Sequence, residues 1–198
     1  MRHLYSFTFL LAIACLNQAR TAKVDPTIFG NIAVINYDSC KKWNLPLTSF
    51  TIEYPNDYKA LFHPKNDYLE LKKYSADGSI EQEFSFGKSQ NIQTKKEIEE
   101  WTYKADSAFN SFKMYQTMSI GYKTIANMNL FVVNSTINFD QFNQADYKGD
   151  YRILMMLIPT DKQPNGVSVS IITKSTSDSL KYNDDINQIL QTLKFSKK

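Results

Sequence analysis

The run Ile153-Leu154-Met155-Met156-Leu157-Ile158 is apolar at every position. An extended strand turns successive side chains to opposite faces, so a strand without a polar position has no face to offer water. Such a strand must lie near the centre of a sheet, with structure packed on each side. Around it the pattern is that of one-sided strands. Phe50, Ile52 and Tyr54 alternate with Thr51 and Glu53, and Pro55-Asn56-Asp57 ends that period. Leu69 and Leu71, then Phe84 and Phe86, alternate on either side of Asp77-Gly78, a hairpin signal because glycine accepts positive φ. Pro64-Lys65-Asn66-Asp67 marks another turn. Met114, Gln116, Met118, Ile120 and Tyr122 share one face by spacing, and Leu130 to Val133 runs on toward Ile137 and Phe139. The segment from Gln141 to Gly149 reads as a polar connection, and Val167, Val169 and Ile171 alternate with Ser168 and Ser170.

Two stretches carry the helical period instead. Thr94-Lys95-Lys96-Glu97 is a capping box, followed by Ile98, Trp101, Ala105, Ala108, Phe109 and Phe112 on one face. A last helix is expected from about Asn183 to Leu193, with Ile186, Ile189, Leu190 and Leu193 toward the core and Asn183 or Asp184 as cap. Asp184-Asp185 is then explained by the positive end of the helix dipole.

The first 22 residues have the layout of a secretory signal peptide: a basic start, an apolar stretch and small residues after it. The apolar stretch from Leu4 to Ala14 rises only about 16 Å as a helix, roughly half a bilayer core. Cleavage is expected near residue 14, 19 or 22. Cys15 follows Ala14 as the cysteine of a bacterial lipoprotein site does and is the lipidation candidate, although Ala12 stands where leucine is usual. The rival is ordinary small-x-small cleavage. Residues 23–46 read as an N-terminal extension with a short strand at Ile32-Ala33-Val34-Ile35, and 47–198 as a single domain. The chain is therefore expected to be exported: periplasmic or attached to the cell envelope in a bacterium, otherwise secreted.

Charge excludes little. The 198-residue chain carries +3, and losing Arg2 and Arg20 with the peptide leaves it near neutral. No long basic stretch suggests nucleic acid, and the lysines read as a solvated surface. The only visible membrane link is a lipid on Cys15. If Cys15 is lipidated or lost, Cys40 is left as a lone thiol; if it survives unmodified, a Cys15–Cys40 bridge is open to it. Asn134-Ser135-Thr136 is a glycosylation sequon by pattern, relevant only in a secretory eukaryote.

Catalytic and metal chemistry find little footing. His63 is the sole histidine after the signal peptide, to be read either as a metal ligand beside Asp57 or Asp67, or as a loop residue before Pro64. A zinc site needs three or four ligands, which are lacking. There is no Gly-x-Ser-x-Gly turn, and a Cys40–His63 thiol pair has no support from context. Asn138, Asp140, Asn143, Asp146 and Asp150 lack the spacing and closing glutamate of a calcium loop. No cofactor, metal or catalytic set is expected. Trp43, in a loop before Pro46, is the aromatic most suited to a partner contact.

Ser49-Phe50-Thr51-Ile52-Glu53-Tyr54-Pro55-Asn56-Asp57-Tyr58 resembles the opening strand of the Mog1/PsbP-like fold group. Asp184-Asp185-Ile186-Asn187-Gln188-Ile189-Leu190-Gln191-Thr192-Leu193-Lys194-Phe195 is similar to its closing helix. The order of elements agrees from about Leu47 to Phe195. The resemblance implies an α+β fold: a twisted, mainly antiparallel β-sheet with helices on both faces, an α/β/α sandwich. Members are chiefly binding or accessory proteins, including photosystem II extrinsic subunits, a nuclear-transport regulator and exported bacterial lipoproteins. The expectation is an exported non-enzymatic accessory or binding domain with an unknown protein partner in the cell envelope. The alternative is a small-molecule or lipid carrier with an apolar pocket between sheet and helix, lined by Met118, Trp101 or Met155.

Overall fold

The computed structural model describes residues 32–35, 50–63, 68–91, 94–140, 142, 144–159, 165–176 and 179–195. In chain order its elements are β1 (Ile32–Ile35), β2 (Phe50–Glu53), β3 (Tyr58–His63), β4 (Tyr68–Tyr74), β5 (Ile80–Asn91) and α1 (Lys95–Phe109). There follow β6 (Tyr115–Ile125), β7 (Met128–Asn138), β8 (Asp150–Pro159), β9 (Asn165–Lys174), α2 (Ser179–Gln191) and β10 (Lys194–Phe195). Seven strands form one antiparallel sheet in the order β3-β4-β5-β9-β8-β7-β6, and β1-β2-β10 form a second, smaller one. Among the described residues the class is α+β, mostly antiparallel sheet with two helices.

The apolar strand is β8, between β9 and β7. Its side chains divide by parity. Met156 and Ile158 join a cluster with Phe84, Val132 and Val169, closed by Ile186, Ile189 and Leu190 of α2 and by Phe50 and Ile52 of β2. Ile153 and Met155 join Val133, Ile137 and Ile172 with Phe109 of α1. Polar substitution at any of these positions would leave a side chain unsolvated in one cluster or the other.

The capping box at Thr94 is formed: Thr94 Oγ1 accepts from the Glu97 amide at 3.2 Å, and the Thr94 amide donates to Glu97 Oε2 at 2.8 Å. The buried stripe of α1 is narrower and more polar than its spacing predicts. Thr102, Asp106 and Phe109 are buried, whereas Phe112 lies beyond the helix and is exposed. Asp106 is buried because Tyr115 and Thr117 of β6 both donate to its Oδ1 at 2.7 Å. The last helix begins at Ser179, not near Asn183, so Asp184 and Asp185 sit inside it and cap nothing. Asp185 instead accepts from Tyr58 Oη at 3.2 Å and lies 3.9 Å from Lys73 Nζ, tying α2 to β3 and β4.

In β6 the expected single face is broken by a shift in register between Thr117 and Ser119, so Met118 no longer shares a face with Ile120 and Tyr122; Met118 is 58% and Tyr122 42% exposed on this edge strand. A two-residue turn joins β6 to β7 with positive φ at both Ala126 and Asn127. That geometry matches the twist of a hairpin but is costly for alanine, and the Ala126 amide donates to Asn187 Oδ1 of α2 at 2.8 Å. Gly78 takes φ +80 in the expected Asp77-Gly78 turn. The connection before β8 is less polar than it reads: Phe142 and Tyr147 pack against the second cluster.

Candidate functional site

Cross-strand register builds a cleft beside α2. Thr136, Arg152 and Thr173 lie opposite one another on β7, β8 and β9, and so do Asn134, Leu154 and Ile171 one step along the strands. The next row, Val132, Met156 and Val169, is covered by α2 and fully part of the core. The helix leaves the Thr136 row open and covers the next row only in part: Asn134 and Leu154 are half-buried and Ile171 is buried. Those rows floor a cleft of about 360 Å³, walled by Asn183 and Ile186 of α2, by Met118 and Lys123 of β6, and by Lys174 and Ser175 at the end of β9.

The two rows differ in character. Arg152 stands between two threonines, while Leu154 and Ile171 continue into the apolar cluster. Thr173 is held in place because Gln82 Nε2 donates to its Oγ1 at 3.0 Å, and Gln82 in turn accepts a hydrogen bond from Tyr58. Lys123, Arg152 and Lys174 are the charged lining residues, and no carboxylate lines the cleft among the described residues. Lys174 is partly matched: its Nζ donates to Ser79 Oγ at 2.8 Å and lies 3.8 Å from Asp77 Oδ2. Hydrogen bonds from Ser75 and Ser79 hold the Asp77 carboxyl well below the usual range, so that partner stays anionic. Arg152 and Lys123 have no ion-pair partner among the described residues. Cationic groups over an apolar floor can hold an anion that carries a hydrocarbon part.

A second polar group lies on the opposite face, across β3, β4 and β5. His63 Nε2 is 2.9 Å from Glu70 Oε2, and Lys72 Nζ sits 2.8 Å from Glu70 Oε2 and 3.4 Å from Glu83 Oε2. Tyr147 Oη and Ser85 Oγ donate to Glu83 at 2.6 and 2.8 Å. All of these except the half-buried Tyr147 are buried. Burial pushes the Glu70 carboxyl up, but the His63 hydrogen bond and the Lys72 charge outweigh it and the group ends below its usual range. Burial raises Glu83, and Lys72 does not overcome it. Burial disfavours the Lys72 ammonium, yet Glu83 and Glu70 keep it protonated well above its ordinary range.

This corrects two expectations. Lys72 and Lys73 are buried in ion pairs and not part of a solvated face, with Lys73 Nζ 2.8 Å from Asp57 Oδ2. His63 ends a strand, stacked on Tyr68 at 4.4 Å, and Asp57 belongs to Lys73 and not to a histidine–metal group. No group of three or more metal-ligating side chains occurs among the described residues. Of the residues expected to line a pocket, Met118 does so; Met155 belongs to the opposite cluster and Trp101 is not at the cleft. Asn134 of the sequon lies within β7 and on the cleft floor. Cys15, Cys40, Trp43 and Asp67 lie outside the described residues. Sequence reasoning missed Arg152, Thr136 and Thr173, which read as ordinary outward positions until the strands are set in register.

The outer edge of β6 offers a different kind of surface. β6 is last in the strand order. Beside it Tyr103 of α1 is 50% exposed and meets the Phe131 ring at 5.6 Å, while Tyr122 meets Phe131 at 4.9 Å. Tyr122 Oη donates to Glu99 Oε1 at 2.6 Å, and Lys95 Nζ lies 4.2 Å from its ring centre. No helix among the described residues is long and apolar enough to cross a membrane.

No protein-family profile matches the chain, and no curated protein matches it. A crystal structure of a protein from Bacteroides thetaiotaomicron VPI-5482, at 1.50 Å resolution, is similar over 75% of this chain at 11% identity with a TM-score of 0.41. The matched region spans 46% of that protein's length.

Proposed function

We propose that this chain is an exported, non-enzymatic binding domain that takes a small molecule in the cleft between the large sheet and α2. The observation that supports this best is a floor that passes from an open polar row about Arg152 to a half-buried apolar one, where Leu154 borders the buried Ile171. A volume of about 360 Å³ falls at the small end of ligand sites, which run from roughly 300 to 1,000 Å³. The charged lining groups are all cations, which suits capture of a ligand better than acid–base chemistry, where two groups of split proton affinity are needed. The signal-peptide pattern favours a periplasmic or envelope location, and Cys15 supplies a membrane anchor if it is acylated. Helices contributing to opposite clusters are consistent with the α/β/α sandwich of the Mog1/PsbP-like group, whose members are mostly binding proteins.

A second reading is favoured by the β6 edge. An envelope protein would add a strand there and seat side chains against Tyr103, Tyr122 and Met118. Native mass spectrometry of the processed protein, released gently from the envelope, tests the first reading. A bound small molecule is expected, and Leu154→Trp, which fills the cleft, should expel it. A molecule retained by Leu154→Trp, or none in the native protein, would overturn the cleft reading. Capture of an envelope protein that Tyr122→Glu abolishes would favour the edge instead.

A further inference from the structure

We infer that the ligand of this cleft is a compact dianion with a short apolar tail, of which a phosphate monoester of a small aliphatic alcohol is the type. The inference rests on the cleft being the binding site and adds the class of molecule that fits it. Lys123 and Arg152 have no carboxylate partner among the described residues, and Lys174 is already shared with Asp77 and Ser79. Lys123 and Arg152 are both exposed, so up to two positive charges are free to turn to one ligand, and a dianion can engage both where a single carboxylate engages one. A phosphate monoester carries −1.5 to −2 at neutral pH and presents three acceptor oxygens. Arg152 supplies a forked donor set for such a group, and the hydroxyls of Thr136 and Thr173 flank it in the same cross-strand row.

The tail follows from the next row. Leu154 lies two residues from Arg152 along β8, so its side chain leaves the same face about 7 Å farther on. Ile171 and Ile186 complete that apolar end. A dicarboxylate would place its second charge there. A cleft of about 360 Å³ has room for a phosphate and a chain of several carbons.

Calorimetric titration of the processed protein with hexyl phosphate, hexanoate, hexanol and hexylamine tests this, since the tail is constant and only the head changes. Hexyl phosphate is expected to bind most tightly, at least about ten-fold better than hexanol, the gain of one charge-assisted contact. Arg152→Gln, a change at an exposed position, should remove about ten-fold of that affinity and leave hexanol unaffected. Raising the salt should weaken hexyl phosphate selectively. Vesicles containing phosphatidate distinguish a membrane headgroup from a soluble monoester: Arg152-dependent binding to either supports the shared chemistry. Hexanol or hexylamine binding as well as hexyl phosphate, without dependence on Arg152, overturns the dianion and leaves the cleft as a binding site. Binding of none of the four overturns both.

Discussion

Removing the buried ammonium between Glu70 and Glu83 should cost stability in a way that depends on pH. In Lys72→Met the stem is kept and the charge is lost. Glu70 loses a partner at 2.8 Å and Glu83 one at 3.4 Å, while both stay buried. Breaking a buried ion pair by removing one partner costs about 3–5 kcal/mol. The alternative is for the folded variant to hold a proton that the unfolded chain has released. That costs about 1.4 kcal/mol for each pH unit above the ordinary carboxylate value near 4.3, or about 5 kcal/mol at pH 8 and about 1 kcal/mol at pH 5. The variant takes the cheaper route. The expected loss is therefore about 3–5 kcal/mol at pH 8, shrinking to about 1 kcal/mol at pH 5. The sign is that of carboxyls whose folded proton affinity has been raised: stability drains away as pH climbs above the unfolded value. Urea unfolding of both proteins at the two pH values measures it. Lys96→Met is the control, because Lys96 is exposed and only 3.8 Å-paired with Glu100, worth about 0.5 kcal/mol at most. A loss under about 1 kcal/mol at pH 8, or one equal at both pH values, would refute the reasoning.

Two further outcomes follow from packing. A Cβ on Gly166 would stand 2.7 Å from Leu157 Cδ2 and 3.1 Å from the Ile158 carbonyl, and Leu157 is fully buried, so Gly166→Ala should lower stability by about 1–3 kcal/mol in thermal unfolding. An unchanged melting temperature would mean that Leu157 can move. Tyr151 Oη donates to the Ile80 carbonyl at 2.8 Å and accepts from the Lys148 amide at 3.3 Å, so Tyr151→Phe should cost about 1–3 kcal/mol by stranding both. Amide exchange at Lys148, faster in the variant, is the local check.

Much of the fold was legible because its signals are local. The apolar run of β8 required two covered faces, and the Thr94–Glu97 box marked the start of α1 within the residues that form it. What stayed hidden depends on register or on distant partners. Tyr58 to His63 shows no clear alternation, and β3 is a strand because β4 pairs with it along its whole length. The Ala126-Asn127 turn lacks glycine, so nothing in the sequence announces positive φ there. Glu70 and Lys72 look like the wet face of a strand whose other face is Leu69 and Leu71. They are buried because each pairs with the other, His63 of β3 bonds Glu70, and Glu83 of β5, itself bonded by Tyr147, pairs with Lys72. The cleft is hidden for the same reason. Thr136, Arg152 and Thr173 become neighbours only when three strands are aligned, and they stay open because the row that α2 fully covers, Val132, Met156 and Val169, lies two rows away. The early start of α2 at Ser179 differs from a start near Asn183 because Asn183, Asp184 and Asp185 resemble a cap yet lie inside the helix.

The cleft beside α2 as the proposed binding site is put to the test by backbone amide shifts of the isotopically labelled protein during titration with hexyl phosphate. Shifts are expected to concentrate on Thr136, Arg152, Leu154 and Thr173, and to be lost in Leu154→Trp. Shifts concentrated instead on Tyr103, Tyr122 and the outer edge of β6, or shifts that survive Leu154→Trp, would contradict it.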